Sequence, residues 1–292
     1  MTDYNQNYNK YLTIFNGYLE EIYSQIDKSA PQTIVDAMRY AVSGGGKRIR
    51  PVLCLATAES LGVPLESVKE YCVAIETIHS YSLVHDDLPA MDNDDYRRGK
   101  LSTHKKFGEA NGILAGDALL NFAFEVCLSK KSFNDADLKA LKIIADFAGY
   151  RGMIAGQVLD LQNENNADAN EKTLYEIYFN KTAKLIMAPI LVACAFADDK
   201  FRNNLFDYGY NLGVLFQIID DIMDVEGTLE SIGKTPNKDA DSGKLTSVKI
   251  FGLDGAKKCA EYHYNKCQQA LEGVENSEFL ASFADAMFIR RK

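Results

Sequence analysis

The chain has 292 residues and a formal net charge of −9, and 47% of its residues are hydrophobic. The acidic balance argues against a general nucleic-acid-binding surface, because such a surface needs clustered basic side chains to neutralise phosphates. The apolar fraction is high enough for a buried core and excludes a disordered chain. We therefore expect one domain over residues 1–292, since helical enzymes of this length can enclose one continuous core.

Targeting and redox signals are weak. The N-terminal residues MTDYNQNYNKYL lack the charged head and apolar stretch of a signal peptide, and the nearly apolar run from Leu185 to Ala197 is too short to span a bilayer. We therefore expect a cytoplasmic protein without a membrane span. The six cysteines contain no CxxC pair, which favours buried free thiols over disulfides or a zinc site.

Apolar residues recur at a spacing of three and four, as in Leu212, Leu215, Phe216 and Ile219. This period is typical of amphipathic helices and not of strands. We therefore predict an all-α fold.

Aspartates are crowded in the segment HSYSLVHDDLPAMDNDDYRRGK, at Asp86, Asp87, Asp92, Asp94 and Asp95. Such crowding is unfavourable unless cations bind, because like charges repel one another. Pro89 disfavours helical geometry at Leu88, so the helix that carries Asp86 should kink or end there. The break matters because residues six apart do not share a face of an ideal helix.

A second acidic segment, LFQIIDDIMD, places Gln217, either Asp220 or Asp221, and Asp224 on one helical face. Hard oxygen ligands of this kind suit Mg²⁺, which takes one or two protein carboxylates and completes its shell with water and phosphate. Each acidic segment alone favours a solvated acidic turn or helix face, because short motifs of this kind often occur by chance. Two of them in apolar helices favour metal ions that hold a diphosphate across a helix bundle. The polar stretch Thr228–Gly243 that follows predicts a mobile loop and a candidate lid.

Basic residues occur beside these segments. In SGGGKRIRP, the glycines permit close backbone approach and Lys47, Arg48 and Arg50 supply positive charge, although the spacing is not that of a P-loop. A basic turn before the next helix is the alternative. Arg97 and Arg98 could contact a diphosphate or pair with the nearby aspartates. His79 lies about two helical turns before Asp86 on the same side of the helix. Its alternative interpretation is a histidine that belongs to the core.

Together these segments resemble the short-chain trans-prenyltransferases, the polyprenyl synthase family, and most closely its bacterial farnesyl diphosphate synthases. DDLPAMD resembles the first aspartate-rich motif of the family with its two-residue insertion, and DDIMD resembles the second. FGEANGILAGDALL, GMIAGQVLDL and FNKTAKLI resemble further family segments in the expected order. The resemblance implies an all-α, isoprenoid-synthase-type helical bundle around a deep central cavity, and a homodimer.

The same resemblance implies roles for individual residues. Those expected to bind isopentenyl diphosphate are Lys47, Arg50, His79 and Arg98. Those expected around the allylic diphosphate are Arg97, Lys181, Thr182, Gln217, Lys234 and Lys244. Magnesium, as three ions with bound diphosphate that Mn²⁺ can replace, is expected at Asp86, Asp92 and Asp220, supported by Asp87 and Asp224. The implied catalytic set is Asp86, Asp92, Arg97, Lys181, Thr182, Gln217, Asp220 and Lys234.

The expected product length depends on Tyr81 and Ser82. At ~1.5 Å per residue, Tyr81 lies roughly 7.5 Å deeper along a regular helix than Asp86. Its ring could therefore close the bottom of the cavity. An aromatic residue there resembles the C15-producing pattern, which implies that dimethylallyl and geranyl diphosphates are extended to farnesyl diphosphate. A geranylgeranyl diphosphate synthase would keep almost every motif and is the main alternative. A non-catalytic partner subunit should have lost acidic or basic site residues, and the main ones are all present.

Overall fold

Helices dominate residues 2–226 and 243–289, which are the residues that the computed structural model describes. In chain order the helices are α1 (Thr2–Ser24), α2 (Gln32–Ser43), α3 (Ile49–Ser60), α4 (Lys69–Asp86), α5 (Thr103–Phe107), α6 (Glu109–Leu128), α7 (Asp135–Ala148), α8 (Met153–Gln162), α9 (Glu171–Ile177), α10 (Lys184–Ala195), α11 (Arg202–Glu226), α12 (Ser247–Ala270) and α13 (Glu278–Ile289). A π-helical turn, Tyr178–Ala183, joins α9 to α10, and 3₁₀ turns span Leu65–Val68 and Asp199–Phe201. The two short strands β1 (Tyr96–Arg97) and β2 (Lys100–Leu101) form an antiparallel hairpin. The all-α prediction is confirmed.

The helices pack around α4 and α10. Residues 185–195 of α10 are all buried, and α10 lies against α3, α7 and α11. The long helix α11 also packs along α12, and α4 packs along α6. The buried hydrophobic cluster extends from Tyr11 on α1 to Met287 on α13. Both acidic segments therefore lie on helices that the core holds in place, at the end of α4 and near the end of α11.

Helix α4 ends at Asp86, as Pro89 predicted. The chain then folds back, because the amide of Asp92 donates a hydrogen bond to the carbonyl of Asp86 at 2.8 Å. Asn93 adopts a left-handed conformation with φ of 49°, which asparagine tolerates better than most residues. This turn brings Asp92 beside Asp86, a proximity that a continuous helix would not allow.

Two glycines enclose the π-helical turn. A Cβ on Gly156 of α8 would lie 2.1 Å from the backbone nitrogen of Lys181, and a Cβ on Gly213 of α11 would lie 2.4 Å from Cα of Ala183. Only glycine fits at such distances from a backbone. Isolated π turns recur at functional sites, and this turn carries Lys181 and Thr182, two of the predicted substrate-binding residues.

Two described segments, Glu109–Leu128 and Glu171–Ala195, are long and apolar enough to cross a bilayer by length and composition alone. The apolar run from Leu185 to Ala197 noted in the sequence overlaps the longer segment Glu171–Ala195, because the helix continues upstream through the π turn. That second segment is 78% buried inside the bundle, so it serves as a core helix. The first segment is α6, which leaves Ile113, Leu114 and Leu128 exposed.

The variant Gly156→Ala should lower the free energy of unfolding by about 2 kcal/mol, because overpacking against a backbone that cannot move away costs energy. Gly17→Ala is the matched control, since a Cβ at this helical position meets no atom within 4 Å. It should raise stability by about 0.5–1 kcal/mol. Urea denaturation measures both values, and equal stability of the two variants would show that the π turn accommodates a side chain.

Candidate active site

A cavity of about 1230 Å³ opens between α4, α8, the π turn and α11. It combines an apolar wall with charged groups, as ligand sites commonly do. The predicted residues that line it are Arg50, His79, Tyr81, Ser82, Asp86, Arg97, Arg98, Lys181, Thr182, Gln217 and Asp220. The two acidic segments therefore contribute to one cavity, which is also where most of the predicted basic residues meet.

Asp86 lies at the cavity wall among charged neighbours. Burial raises the pKa of Asp86 to about 6, and the nearby Lys181 opposes that shift while Asp92 adds to it. Asp92 in turn pairs with Lys244, whose Nζ lies 3.4 Å from a carboxylate oxygen of Asp92. Repulsion between the two aspartates is thus partly offset by lysines. Lys244 lines a smaller adjoining pocket of about 180 Å³ together with Lys181 and Asp220.

Asp87 is buried behind Asp86 and accepts hydrogen bonds from the guanidinium of Arg97, one of them at 2.9 Å. Burial raises the pKa of Asp87 even though Arg97 opposes the shift. Arg97 also lies 3.6 Å from Asp94. Both interpretations of Arg97, as a contact for diphosphate and as a partner of the aspartates, are therefore compatible with its position. Arg97 pairs with aspartates of the first segment and also lines the cavity.

A basic group occupies another part of the cavity wall. Burial lowers the pKa of Arg50 to about 10, which leaves it cationic at neutral pH. Burial, followed by the charges of Arg50 and Arg98, lowers the pKa of His79 well below its usual value. His79 is therefore neutral near pH 7 and can donate one N–H to an anion. Lys47 is exposed in the loop before α3, and the guanidinium of Arg98 donates to the carbonyl of Gly45 in the same loop.

Arg48 is buried next to this group, and its charge contributes to the lowered pKa of His79. Its guanidinium lies 2.7 Å from the carboxylate of Glu76, with side-chain exposures of 6% and 2%. Arg50 and Arg98 line the cavity, whereas Arg48 does not, and its guanidinium is paired with Glu76 inside the protein. Sequence reasoning also missed Glu76, although a carboxylate between Ile75 and Ile78 on a buried helix was a signal that a partner is required.

The second acidic segment divides its aspartates between two environments. Asp220 lines the cavity. Asp221 is buried and accepts hydrogen bonds from the hydroxyl of Tyr178, from the amide and hydroxyl of Ser247 at 2.7 and 2.8 Å, and from the amide of Gln217 at 3.1 Å. Burial raises the pKa of Asp221 to about 7 although these donors oppose the shift. Of the two alternatives that helical spacing left open, Asp220 is therefore the one that faces the cavity.

The π turn presents Lys181 and Thr182 to the same cavity. Lys181 forms an ion pair with Asp160 of α8, a residue that sequence reasoning did not single out. The hydroxyl of Thr182 donates to the side-chain carbonyl of Gln217 at 2.9 Å. A hydrogen-bonded chain therefore runs from Ser247 through Asp221 and Gln217 to Thr182, and it links α12, α11 and the π turn.

Tyr81 lies in the wall one helical turn before His85, and their rings meet edge to face at 5.9 Å. The hydroxyl of Tyr81 is buried without a hydrogen-bond partner among the described residues. His85 contacts the carbonyl of Ile113 at 3.0 Å and occupies the space left by Gly116, where a Cβ would lie 2.0 Å from Nε2 of His85. Ser82 donates to the carbonyl of His79 at 2.9 Å. Sequence reasoning identified Tyr81 and Ser82 but not His85.

Lys234 and the predicted lid up to residue 242 lie outside the described residues. Asp224 is buried one turn after Asp220. Among residues 2–226 and 243–289, no three His, Cys, Asp or Glu side chains lie close enough together to form a metal site by themselves. All six cysteines are free, and five of them are buried.

Comparison with known proteins gives consistent results. Residues 31–281 match the family model described as polyprenyl synthetase. A farnesyl diphosphate synthase of Micrococcus luteus is 43% identical over 249 residues, which cover 84% of this chain and 85% of that protein. A geranylgeranyl diphosphate synthase of Cyanophora paradoxa is 40% identical over 265 residues, which cover 89% of this chain and 88% of that protein. The solved structure of a Helicobacter pylori geranyltransferase complexed with magnesium and isoprenyl diphosphate has a TM-score of 0.80 and 30% identity, covering 95% of this chain and 96% of that one.

The chain belongs to the polyprenyl synthetase family. It is a transferase whose activity is that of a trans-prenyl diphosphate synthase, and the predicted isoprenoid-synthase helical fold is confirmed. Relatives of nearly equal similarity are named for different products. The length of the product is therefore a question about the residues that line this cavity.

Replacing Asp221 by Ala should lower the free energy of unfolding by about 2–4 kcal/mol, because Tyr178, Ser247 and Gln217 lose a buried acceptor. Asp207→Ala is the control on the same helix, at an exposed position, and should change stability by no more than about 0.5 kcal/mol. Chemical denaturation compares the two variants. Equal stability would show that the hydrogen bonds to Asp221 contribute nothing to the fold.

Proposed function

We propose that the protein joins isopentenyl diphosphate head to tail with dimethylallyl diphosphate and then with geranyl diphosphate, and releases farnesyl diphosphate. The observation that carries this proposal is one cavity of about 1230 Å³ that combines acidic residues from two helices, a basic group and an apolar wall containing Tyr81. A diphosphate needs the charged groups, and a growing hydrocarbon chain needs the apolar wall.

The two substrates are assigned to different parts of the wall. The homoallylic substrate, isopentenyl diphosphate, is assigned to Lys47, Arg50, His79 and Arg98. The position of Arg50, His79 and Arg98 in one cavity wall supports this assignment, because arginine matches phosphate oxygens with paired N–H donors. The allylic diphosphate is assigned to Arg97, Lys181, Lys244 and, outside the described residues, Lys234. Lys181 and Lys244 lie beside Asp220 in the smaller pocket, which supports that second assignment.

The acidic residues fit a magnesium cofactor by their chemistry. Asp86 and Asp220 line the cavity from two helices, and Asp92 is folded back beside Asp86. Mg²⁺ prefers carboxylate oxygens and commonly takes few protein ligands when a phosphate completes its shell. We assign the metal ligands to Asp86, Asp92 and Asp220, with Asp87 and Asp224 in support. When bound, the ions would neutralise charge on the diphosphate leaving group, and Mn²⁺ is expected to substitute.

The reaction follows from these assignments. The bond between C1 of the allylic substrate and its diphosphate oxygen breaks, and Arg97 and the lysines stabilise the departing negative charge. The side-chain oxygens of Thr182 and Gln217 lie at the cavity wall, where their dipoles can stabilise the allylic cation. The double bond of isopentenyl diphosphate then forms the new carbon–carbon bond with C1. A proton leaves C2 of the former isopentenyl unit for the released diphosphate, which restores neutrality.

Product length is assigned to the wall formed by Tyr81 and His85. The edge-to-face contact between the two rings at 5.9 Å supports a rigid block at this depth, and Ser82 beside it is small. A C20 product is the second candidate, because the Cyanophora paradoxa relative is named a geranylgeranyl diphosphate synthase at 40% identity.

We also propose a homodimer in the cytoplasm, and the exposed apolar face of α6 at Ile113, Leu114 and Leu128 supports the dimer.

Purified protein with Mg²⁺ and isopentenyl diphosphate should convert dimethylallyl and geranyl diphosphates to a C15 product and should leave farnesyl diphosphate unextended. Chelation of the metal should abolish turnover, since the charge on the leaving group would no longer be neutralised. Mass spectrometry of the products is the measurement. A C20 end product would transfer the assignment to the second candidate, and no elongation by folded, metal-loaded protein would reject the proposal.

The variant Tyr81→Ala should shift the product from C15 to C20 or longer, because removal of the ring deepens the cavity. Tyr262→Ala is the control, since Tyr262 is 57% exposed on α12. It should make the wild-type product. Product analysis of both variants is compared after circular dichroism has established that each is folded. An unchanged C15 product from folded Tyr81→Ala would show that Tyr81 does not limit product length.

A further inference from the structure

The glycine loop, Gly44–Arg48, has an unusual backbone for a segment that carries a predicted substrate-binding residue. Gly45 and Gly46 have φ of 81° and 108°, and Arg48 has φ of 51°. A non-glycine residue in this region persists only when its surroundings stabilise it. The contacts that fix Arg48 therefore also fix the path of the loop and the position of Lys47 next to it.

Arg48 is fixed by a buried ion pair. Its guanidinium lies 2.7 Å from Glu76 on α4 and also donates to the carbonyl of Val42 at the end of α2. The ring of Phe15 on α1 lies 5.8 Å from the guanidinium. Removing one partner of such a pair leaves an uncompensated buried charge, which is strongly unfavourable. Three helices thus hold one left-handed residue.

Helix α1 fixes the loop at a second point. The hydroxyl of Tyr8 donates a hydrogen bond to the carbonyl of Lys47. The ring of Tyr8 is stacked on Phe283 of α13, with centroids 6.3 Å apart and ring planes 11° apart. Phe283 is itself almost fully buried. The donor is therefore held in place by packing between the first and last helices.

The loop also contacts the basic group of the cavity directly. Arg98 donates to the carbonyl of Gly45, and a Cβ on Gly46 would lie 2.4 Å from the guanidinium carbon of Arg98. The absence of a side chain at Gly46 is therefore required for this contact. Loop path and Arg98 position are coupled, so a change in one changes the other.

We propose that Tyr8, Arg48 and Glu76 are positioning residues for the homoallylic diphosphate. Tyr8 and Glu76 contact the glycine loop at Lys47 and Arg48. Together with Arg48 they hold Lys47, Arg50 and Arg98 in their binding arrangement before the substrate arrives. Preorganisation of this kind lowers the ordering cost of binding. The inference rests on the proposed function, because it takes isopentenyl diphosphate to bind at these basic residues.

The sharpest test compares Tyr8→Phe with Tyr11→Phe. Each variant removes one hydroxyl from α1, but Tyr11 donates to Glu59 at 2.5 Å, away from the loop. The KM for isopentenyl diphosphate should rise about fivefold to tenfold in Tyr8→Phe, as expected for one lost hydrogen bond. Its kcat and its KM for geranyl diphosphate should stay at wild-type values, and Tyr11→Phe should match wild type in all three constants.

A second variant, Glu76→Gln, separates positioning from electrostatics. If only charge matters, Glu76→Gln should tighten diphosphate binding, because it removes a negative charge near the anion site. If positioning matters, Glu76→Gln should weaken diphosphate binding, because Arg48 loses its partner. Calorimetric titration with isopentenyl diphosphate, without allylic substrate, measures the sign. We expect weaker binding.

Specific outcomes would overturn the inference. These are an unchanged KM for isopentenyl diphosphate in Tyr8→Phe, an equal rise in Tyr11→Phe, or tighter binding by Glu76→Gln. Wild-type protein that binds no isopentenyl diphosphate would also overturn it, but that result would identify the proposed function as the step that failed. The two failures are therefore distinguishable.

Discussion

Compensation of negative charge at the cavity wall is the constraint on which the other features of the site depend. Asp86 and Asp220 line the cavity, Asp92 lies beside Asp86, and burial raises the pKa of Asp86 to about 6. Such groups are stable together only beside cations. Lys181 of the π turn and Lys244 before α12 supply part of the compensating positive charge. Bound magnesium would supply the rest.

Each acidic segment separates the aspartates that face the cavity from those that hold the structure. Asp87 accepts from Arg97, and Asp221 accepts from Tyr178, Ser247 and Gln217. The paired aspartates of both motifs thus have different roles, although they are adjacent in sequence. The same separation applies to the basic loop, where Arg48 pairs inside the protein while Arg50 lines the cavity.

Patterns of local sequence predicted the features that depend on local geometry. The three-to-four residue period predicted helices, and Pro89 predicted the end of α4 at Asp86. Features that depend on distant partners were not predictable in this way. Helical spacing could not choose between Asp220 and Asp221, because the choice depends on Ser247 in another helix. The burial of Arg48 depends on Glu76, and the π turn depends on glycines of α8 and α11.

The central claim is that carboxylates from two helices bind a diphosphate through magnesium. Calorimetric titration of inorganic diphosphate into wild-type protein and into Asp220→Asn, each with and without Mg²⁺, tests it most directly. We predict that wild type binds diphosphate much more tightly when Mg²⁺ is present, and that Asp220→Asn loses about tenfold or more of that gain. Equal binding by both proteins, or wild-type binding that Mg²⁺ does not change, would contradict the account.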